Sequence, residues 1–491
     1  MDLALILKAC IASFIGWLIY RIVFGIILPP LSFPRNVPVV PLWVSILGFL
    51  KDQNGMPKYG QDEIYKKHIR DRMKTKGAVA MWFGGRWNII VGHPELIRPV
   101  LDKVDVFSKS GNHEKIPNSV LAHLTGENII SATGDIWRKF RKVFNPIMRE
   151  DWSPSTFAFK TRDFIDNIQK EKETHMNELV QRFTMDCIGS SLFTTEFGTL
   201  KNKNNPISVM HAAIKRNIFK PLFLFFPILD ELRLPSRQKV KHMIDKLYLQ
   251  ILEAIEASPT KSETNLLSAM RKAVDAGQWT DKQFRDNCMI TFIAGHENTQ
   301  QAITSLLYYL AINKEVQLKA RDAVKQVGID ADSTPSAEQL AKCVYLRKVL
   351  KEVLRIAPPI PQLVNRKVNT DIWLGDILIP AETYVGWHAF GVHHNEDVWN
   401  NPDEFNPDRF DDDLKPIDNP AACQRYAWMP FSGGGRQCLG VKLAETEILV
   451  FASMMLAEFE WALANPTATV KMTPGGILAP INLRLTFSKI N

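Results

Sequence analysis

The glycine-rich turn at residues 431–440 constrains this chain more than any other segment, because it reads FSGGGRQCLG and carries one cysteine near its end. Glycine reaches positive φ angles that other residues avoid, so the glycines at 433–435 allow the backbone to fold around Cys438 and to turn N–H groups toward its sulfur. An apolar run with helical spacing follows at residues 439–455, and the positive end of that helix further favours a thiolate. The segment therefore predicts a thiolate ligand for a metal.

Two other interpretations of this turn are weaker on the residues alone. A glycine-rich turn before a helix also binds phosphate, but neither a Gly-Lys-Ser/Thr ending nor a Gly-x-Gly-x-x-Gly spacing is present. A lone cysteine is more often a small buried hydrophobe. The surrounding pattern decides against that interpretation, because five positions fit Phe-x-x-Gly-x-Arg-x-Cys-x-Gly: Phe431, Gly434, Arg436, Cys438 and Gly440.

This ten-residue pattern is the haem-binding signature of the cytochromes P-450, and the chain resembles that family. The resemblance implies that Cys438 is the axial ligand of the haem iron, that Arg436 bonds a haem propionate, and that Phe431 packs beside the sulfur. The chemistry agrees, because a thiolate ligand pushes electron density through iron and favours cleavage of the O–O bond. We therefore expect haem b as the cofactor and Cys438 as its metal ligand.

A charged cluster upstream matches further family signatures in the expected order. Glu352 and Arg355 form a Glu-x-x-Arg pair three residues apart, and Arg409 lies in the segment whose arginine completes a Glu-Arg-Arg cluster. Alone, such a pair is an ordinary solvated contact on one helix face. By resemblance these three residues are structural, because buried charges are costly unless every partner is present.

Three more residues are candidates for the haem propionates. Trp137 and Arg141 match a Trp-x-x-x-Arg helix motif, and they would bond the propionates through an indole donor and a charged guanidinium fork. Arg366 follows a proline-rich turn and is a candidate for the same role. The resemblance thus predicts haem contacts from three separate parts of the chain.

Residues 281–312 read as one long, largely apolar helix carrying AGHENT at 294–299, which resembles the oxygen-binding helix of the family. There an acid and a threonine pass protons to bound dioxygen. Glu297 supplies the acid, but Asn298 stands where the threonine belongs. Thr299 is displaced by about 100° around the helix, so it reaches that place only through a local distortion. We expect catalysis to involve Glu297, Asn298 and Thr299, with ordered water or a reaction without oxygen insertion compensating for the change.

Length and composition favour one large domain. The signatures span residues 137–438 and must meet at one haem, and 46% hydrophobic residues are enough for an extensive core. Six cysteines without paired spacing indicate a reducing compartment. The resemblance implies a mainly α fold with small β-sheets, and we assign residues 42–491 to this haem-thiolate catalytic domain.

The N-terminal segment predicts a transmembrane anchor at residues 1–28 and a proline-rich hinge at 29–41. The anchor is apolar except for Asp2, Lys8 and Arg21, so both cations must extend toward the membrane surface. A signal peptide is disfavoured, because the extreme N-terminus is not basic and no clear cleavage site follows. Basic residues after the anchor place the catalytic domain in the cytosol, which resembles members of the family in the endoplasmic reticulum.

The formal net charge of +8 gives information about binding partners rather than about the fold. Basic residues cluster at 138–142 and recur at Lys442. They predict a positively charged surface on the cysteine side of the haem, which would bind an acidic NADPH-cytochrome P-450 reductase. The alternative is that these are scattered surface lysines without a partner. Nucleic-acid binding is not supported, because no recognition motif is present.

Blocks beyond the general signatures resemble the fungal members of the family that make the dityrosine of the spore wall. They include SKSGNHEKIPNSVLAHLTGENIIS from Ser108 and IAGHENTQ from Ile293. The implied reaction is oxidative coupling of N-formyl-L-tyrosine to N,N′-bisformyl dityrosine, with O2 and with electrons from NADPH. A hydroxylase of sterols, fatty acids or xenobiotics remains an alternative, as does a haem-binding sensor or scaffold without turnover.

Overall fold

The computed structural model describes residues 10–17, 20, 23–170, 173–258, 265–417, 419–467 and 469–490. Helices dominate these residues. They are α1 (Leu42–Ile46), α2 (Gln61–Ile64), α3 (Arg70–Lys76), α4 (Pro94–Asp102), α5 (Asn112–Lys115), α6 (Val120–Thr125), α7 (Gly134–Met148), α8 (Pro154–Ile168), α9 (Met176–Ile188), α10 (Pro206–Ile218), α11 (Pro221–Phe225), α12 (Pro235–Glu256), α13 (Leu266–Asp275), α14 (Asp281–Ile312), α15 (Lys314–Gln326), α16 (Ala337–Lys342), α17 (Val344–Ile356), α18 (Ala389–His393) and α19 (Val441–Glu458).

The strands are short and form small sheets, as expected. They are β1 (Ala78–Phe83), β2 (Arg86–Val91), β3 (Phe107–Lys109), β4 (Thr174–His175), β5 (Leu363–Val368), β6 (Ile372–Leu374), β7 (Ile377–Ile379), β8 (Tyr384–Trp387), β9 (Phe459–Leu463) and β10 (Arg484–Lys489). One sheet has five strands in the order β1-β2-β8-β5-β3, a second has the order β4-β10-β9, and β6 pairs with β7. The β2–β8 pair is parallel, and the other strand pairs are antiparallel.

Helix α14 runs through the centre of the molecule and confirms the long helix predicted from the sequence. Its start is fixed by a capping box, in which Thr280 accepts from the Gln283 N–H and the Gln283 side chain accepts from the Thr280 N–H. Apolar side chains lie on nearly every side of the helix, because it packs against α9, α17, α19 and β9. This burial places the AGHENT segment inside the protein.

This helix belongs to the larger of the two main apolar cores. The larger core joins α8, α9, α14 and α19, and its centre contains Phe164, Phe183 and Phe451 with ring centroids 4.9–5.7 Å apart. The second core lies against the five-stranded sheet. Aromatic rings at these separations add to the burial of apolar area. Elements from residue 120 to residue 485 share the larger core, so the predicted signatures belong to one folded body.

The predicted anchor at residues 1–28 falls partly on 1–9, 18, 19, 21 and 22, which lie outside the described residues. Residues 10–17 are helical with exposed apolar side chains, and Val23–Ile27 is a π-turn broken at Phe24 (φ −99°, ψ 16°). Within the described ranges, none of the helices combines the length and apolar character that crossing a membrane requires. The end of the predicted hinge packs on β1, because the Val40 N–H donates to the Ala80 carbonyl at 2.9 Å.

Candidate active site

The loop before α19 holds Cys438 in a closed turn. The Cys438 N–H donates to the carbonyl of half-buried Phe431 at 3.1 Å. Of the three glycines, Gly434 takes a positive φ (+66°), and a Cβ there would lie 2.7 Å from the Leu101 carbonyl oxygen. Gly433 is extended, but a Cβ on it would lie 2.1 Å from the Tyr426 ring. Two of the glycines are therefore required, one by its backbone conformation and the other by close packing.

The protonation state of Cys438 depends on the groups around its sulfur. Its side chain is accessible, yet burial raises the pKa of the Cys438 thiol, while the Gly440 N–H and the Arg141 cation act in the opposite direction. The protein alone thus favours the thiol, contrary to the thiolate expected from the sequence, and metal coordination would remove the proton.

A set of buried nitrogen donors has no hydrogen-bond partner within the described ranges. The set consists of Arg366 Nε and Nη2, Arg436 Nη1 and Trp137 Nε1. Arg436 stacks on the Trp137 ring at 4.2 Å and donates its other terminal nitrogen to the Ala132 carbonyl. Burial lowers the pKa of Arg366 to about 10, and burial together with the Arg366 and Arg141 cations lowers that of Arg436 to about 9. These donors require hydrogen-bond acceptors, and an anion would also offset the two guanidinium charges.

Lys109 adds a cation that the sequence reasoning missed. It lies on β3 directly opposite Arg366 on β5, and it is 7% exposed. Burial, followed by the charges of Arg366 and Arg436, lowers the pKa of Lys109 well below its ordinary value. β3 has only three residues, which is too short for an alternation of apolar and polar residues to be recognised. The sequence therefore does not show that this lysine points inward.

The donor set fits haem. Arg366, Arg436 and Lys109 form no ion pair with a carboxylate of the described residues, so two propionates would offset two of their three positive charges while Cys438 offers a sulfur ligand. Arg141 is already engaged, since it donates to the Gly435 and Gln437 carbonyls at 2.8 and 3.3 Å. Its guanidinium therefore joins α7 to the Cys438 loop, and its propionate contact stays a prediction.

The predicted Glu-Arg-Arg cluster is confirmed. Arg355 holds Glu352 with two hydrogen bonds of 2.7 and 2.8 Å, and Arg409 Nε reaches Glu352 Oε1 at 3.2 Å. His393 extends the cluster toward the haem-ligand loop: its Nδ1 lies 3.0 Å from the Arg355 carbonyl, and its Nε2 accepts from the Met429 N–H at 2.9 Å. The cluster therefore supports the loop that precedes Cys438.

Asn298 and Thr299 lie on different faces of α14. Asn298 is half-buried, and its Nδ2 donates to the Ala294 carbonyl at 3.3 Å. Thr299 is 5% exposed, and its hydroxyl donates to the Gly295 carbonyl at 3.3 Å. The helix is regular at this point, so Thr299 does not rotate into the place of Asn298.

Glu297 contacts α10 rather than the face occupied by Asn298. Its Oε1 lies 3.1 Å from His211 Nε2 and 3.0 Å from Lys215 Nζ. Burial alone would raise the pKa of Glu297, but the hydrogen bond from His211 and the charge of Lys215 hold it below its ordinary value. His296 is fully buried, and its Nδ1 lies 2.6 Å from the Phe292 carbonyl oxygen.

Comparison with known proteins decides the family. The cytochrome P-450 family model matches residues 40–487. The chain belongs to the cytochrome P-450 family. It is 36% identical to cytochrome P-450 DIT2 of Saccharomyces cerevisiae over 485 residues, covering 95% of this chain and 96% of the yeast protein. It is 32% identical to cytochrome P-450 monooxygenase xanG of Aspergillus fumigatus, covering 89% of this chain and 84% of that one.

A solved structure gives the same fold. A mutant haem domain of cytochrome P-450 DA superposes with a TM-score of 0.71 at 20% identity, covering 86% of this chain and 92% of the other. The protein is thus a P-450 enzyme with haem b as its cofactor.

Proposed function

We propose that this P-450 couples N-formyl-L-tyrosine oxidatively to N,N′-bisformyl dityrosine for the fungal spore wall. The observation that carries the proposal is Asn298 at the place of the family's threonine, because phenol coupling transfers no oxygen atom from O2 to the product. Similarity to the yeast protein over nearly the whole of both chains supports it. So does the resemblance of the blocks at 108–131 and 293–300 to the fungal dityrosine-forming enzymes.

The haem contacts follow from the donor set. Cys438 would bind the iron, with Phe431 beside the sulfur, while Trp137, Arg366 and Arg436 would bond the propionates, joined by Lys109 at the edge of β3. Hydrogen bonds between charged groups are stronger than neutral ones, so the buried cations favour uptake of the dianionic cofactor. When bound, the haem supplies the reduction of dioxygen and the one-electron oxidation of phenols.

The reaction balances without oxygen insertion. Two phenols each lose one hydrogen atom, and the two carbon radicals join in one new C–C bond. NADPH supplies two further electrons, and both oxygen atoms of one O2 leave as water. The protein must therefore position two phenol rings and deliver protons, and no substrate carbon needs to receive a hydroxyl group.

Proton delivery would use Asn298 and Glu297 in different ways. An amide donates and accepts hydrogen bonds but transfers protons poorly, so Asn298 would orient a water molecule. Glu297 would pass protons only after its carboxylate leaves Lys215 or His211, since both contact the same oxygen. A water chain regulated by that ion pair fits this arrangement.

Lys115 is the candidate cation for the amino-acid carboxylate of the substrate. Its Nζ donates to the Val364 carbonyl at 3.2 Å and lies 5.0 Å from the centre of the Tyr384 ring. Burial lowers the pKa of Lys115 to about 8, so a carboxylate nearby would restore its charge. Lys115→Met should raise KM for N-formyl-L-tyrosine and leave the KM for decarboxylated N-formyltyramine unchanged.

Electron supply and membrane attachment complete the proposal. Exposed Lys139 and Lys142 on α7 would meet an acidic NADPH-cytochrome P-450 reductase, whereas Lys442 is already paired with Asp151 at 2.6 Å.

Residues 1–28 would attach the enzyme to the endoplasmic reticulum with its catalytic domain in the cytosol. Removal of these residues should shift the protein from the membrane pellet to the supernatant, and an unchanged distribution would contradict the anchor.

The deciding experiment is product analysis. The haem-loaded enzyme, a reductase, NADPH and N-formyl-L-tyrosine should give a dimer lacking two hydrogens, with one NADPH consumed per dimer. A hydroxylated tyrosine or an oxygenated lipid would instead support a monooxygenase, in line with the similarity to xanG. NADPH use that no substrate alters would point to a sensor or scaffold. Cys438→Ala serves as the inactive control.

A further inference from the structure

Helices α10 and α14 bring two histidines and a glutamate together. His211 comes from α10, while His296 and Glu297 come from α14, and all three side chains are buried. The His211 and His296 rings are 4.8 Å apart between centroids. One ligating atom from each of the three residues lies within 4.8 Å of the other two.

The unused nitrogen of His296 is the second observation. A carbonyl oxygen can only accept, so the 2.6 Å contact with the Phe292 carbonyl requires the proton on Nδ1. The lone pair of His296 is then on Nε2, which is buried without a hydrogen-bond partner among the described residues. A histidine oriented by a backbone carbonyl through Nδ1, with Nε2 free, has the arrangement of a metal ligand.

His211 can adopt the same form. Its Nδ1 lies 3.4 Å from the terminal amide of Gln181, whose oxygen and nitrogen exchange places when the amide rotates. With the amide oxygen facing Nδ1, the ring proton of His211 moves to Nδ1, and a metal ion then takes the place of the hydrogen bond between Nε2 and Glu297. We propose that His211, His296 and Glu297 form a buried site for one divalent transition-metal ion of the zinc type, which prefers imidazole and carboxylate ligands.

Lys215 is the competitor for this site. Its ammonium lies 3.0 Å from Glu297 Oε1, and its side chain is 34% exposed, so it can turn outward when a cation enters. The ion then replaces the ammonium beside the carboxylate and fixes α10 to α14. In the proposed reaction, which this consequence presupposes, an occupied site holds Glu297 away from proton delivery and slows turnover.

Zinc titration of the haem-loaded full chain tests the site. After treatment with a chelator, calorimetry and metal analysis should show one zinc ion per chain. His296→Gln and His211→Gln should each weaken zinc binding by about 100-fold or more, while His242→Gln, at an exposed position on α12, should not. Lys215→Met removes the competing charge and should tighten binding roughly 10-fold, by analogy with charge effects on nearby groups.

Two outcomes would overturn the proposal. One is an absence of stoichiometric zinc binding to the wild-type protein. The other is zinc affinity that neither His296→Gln nor Lys215→Met changes in protein that still gives the thiolate-type absorption of the reduced carbon monoxide complex. If the histidine variants fail to take up haem, Lys215→Met alone decides, because an unchanged zinc affinity there contradicts competition for Glu297. None of these readouts depends on the substrate.

Discussion

Lys109 and Arg366 stand directly opposite each other in the antiparallel pair of β3 and β5, and both side chains are buried. Like charges at directly opposed positions destabilise a sheet. No carboxylate of the described residues offsets them, so the pair destabilises the protein until an anion arrives. In the proposed haem complex, a propionate would supply this anion.

Lys109→Met should therefore have opposite effects on the two forms of the protein. Without haem, the variant should be more stable by about 1 kcal/mol, because a buried like-charge contact is removed. Haem affinity should fall about 10-fold, which corresponds to ~1.4 kcal/mol for one lost charged contact. Thermal unfolding of the apoprotein and haem transfer to apomyoglobin measure the two effects. Lys367→Met, next to Arg366 on β5, is the control, and a Lys109 variant that behaves like it would contradict this account.

Cys438→Ala should abolish the absorption band that a thiolate ligand gives to the reduced carbon monoxide complex. The reason is that the sulfur is the only soft ligand in the glycine-rich loop. Visible spectroscopy of the purified protein provides the measurement. Cys423→Ala, at an exposed cysteine outside the loop, should leave the band unchanged. Persistence of the band in the first variant would refute the assignment of the ligand.

Sequence reasoning located the elements whose signal is local. The glycine-rich loop and the helix at 281–312 were both visible because backbone conformation and apolar spacing leave a pattern in consecutive residues. Lys109 was missed because its inward direction depends on pairing with β5, which is more than 250 residues away in the chain. The pairing of Glu297 with α10 was hidden for the same reason. Contacts between distant segments have no local pattern to reveal them.

Glu352→Gln should prevent stable folding with haem. It leaves Arg355 and Arg409 buried without their shared carboxylate, which costs about 3–5 kcal/mol for a broken buried pair. The yield of haem-containing protein and its melting temperature measure the loss. The control is Lys348→Met, because Lys348 lies on α17 as Glu352 does. This variant removes the ion-pair partner of exposed Asp412 and should change stability by less than about 1 kcal/mol. Equal effects of the two variants would argue against the cluster.

Asn298→Thr should leave haem binding intact and change how dioxygen reduction is divided between product and peroxide. A hydroxyl relays protons, whereas the amide mainly orients water. Thr299→Val should have little effect, because that hydroxyl is buried against the Gly295 carbonyl. Peroxide formed per NADPH consumed is the measurement. Identical coupling in Asn298→Thr and the parent enzyme would remove the proposed importance of this position.

His393 should make the protein sensitive to acid. Burial, assisted by the Arg355 cation, lowers the pKa of His393 from 6.5 to about 3. Between these values the unfolded chain binds a proton that the folded protein does not, so stability falls as the pH falls, by up to about 1.4 kcal/mol per pH unit. His393→Gln should reduce the proton uptake of acid unfolding by about one. An unchanged slope of the unfolding free energy against pH would refute this role.

Arg141 and the Phe431 carbonyl already fasten the turn around Cys438, the first through the carbonyls of residues 435 and 437 and the second through the cysteine N–H. Little conformational freedom remains for that turn to lose when iron arrives. The loop therefore has its haem-binding conformation before haem is present. The rate of holoenzyme formation should depend on how fast haem enters the protein, and not on a later rearrangement of this loop.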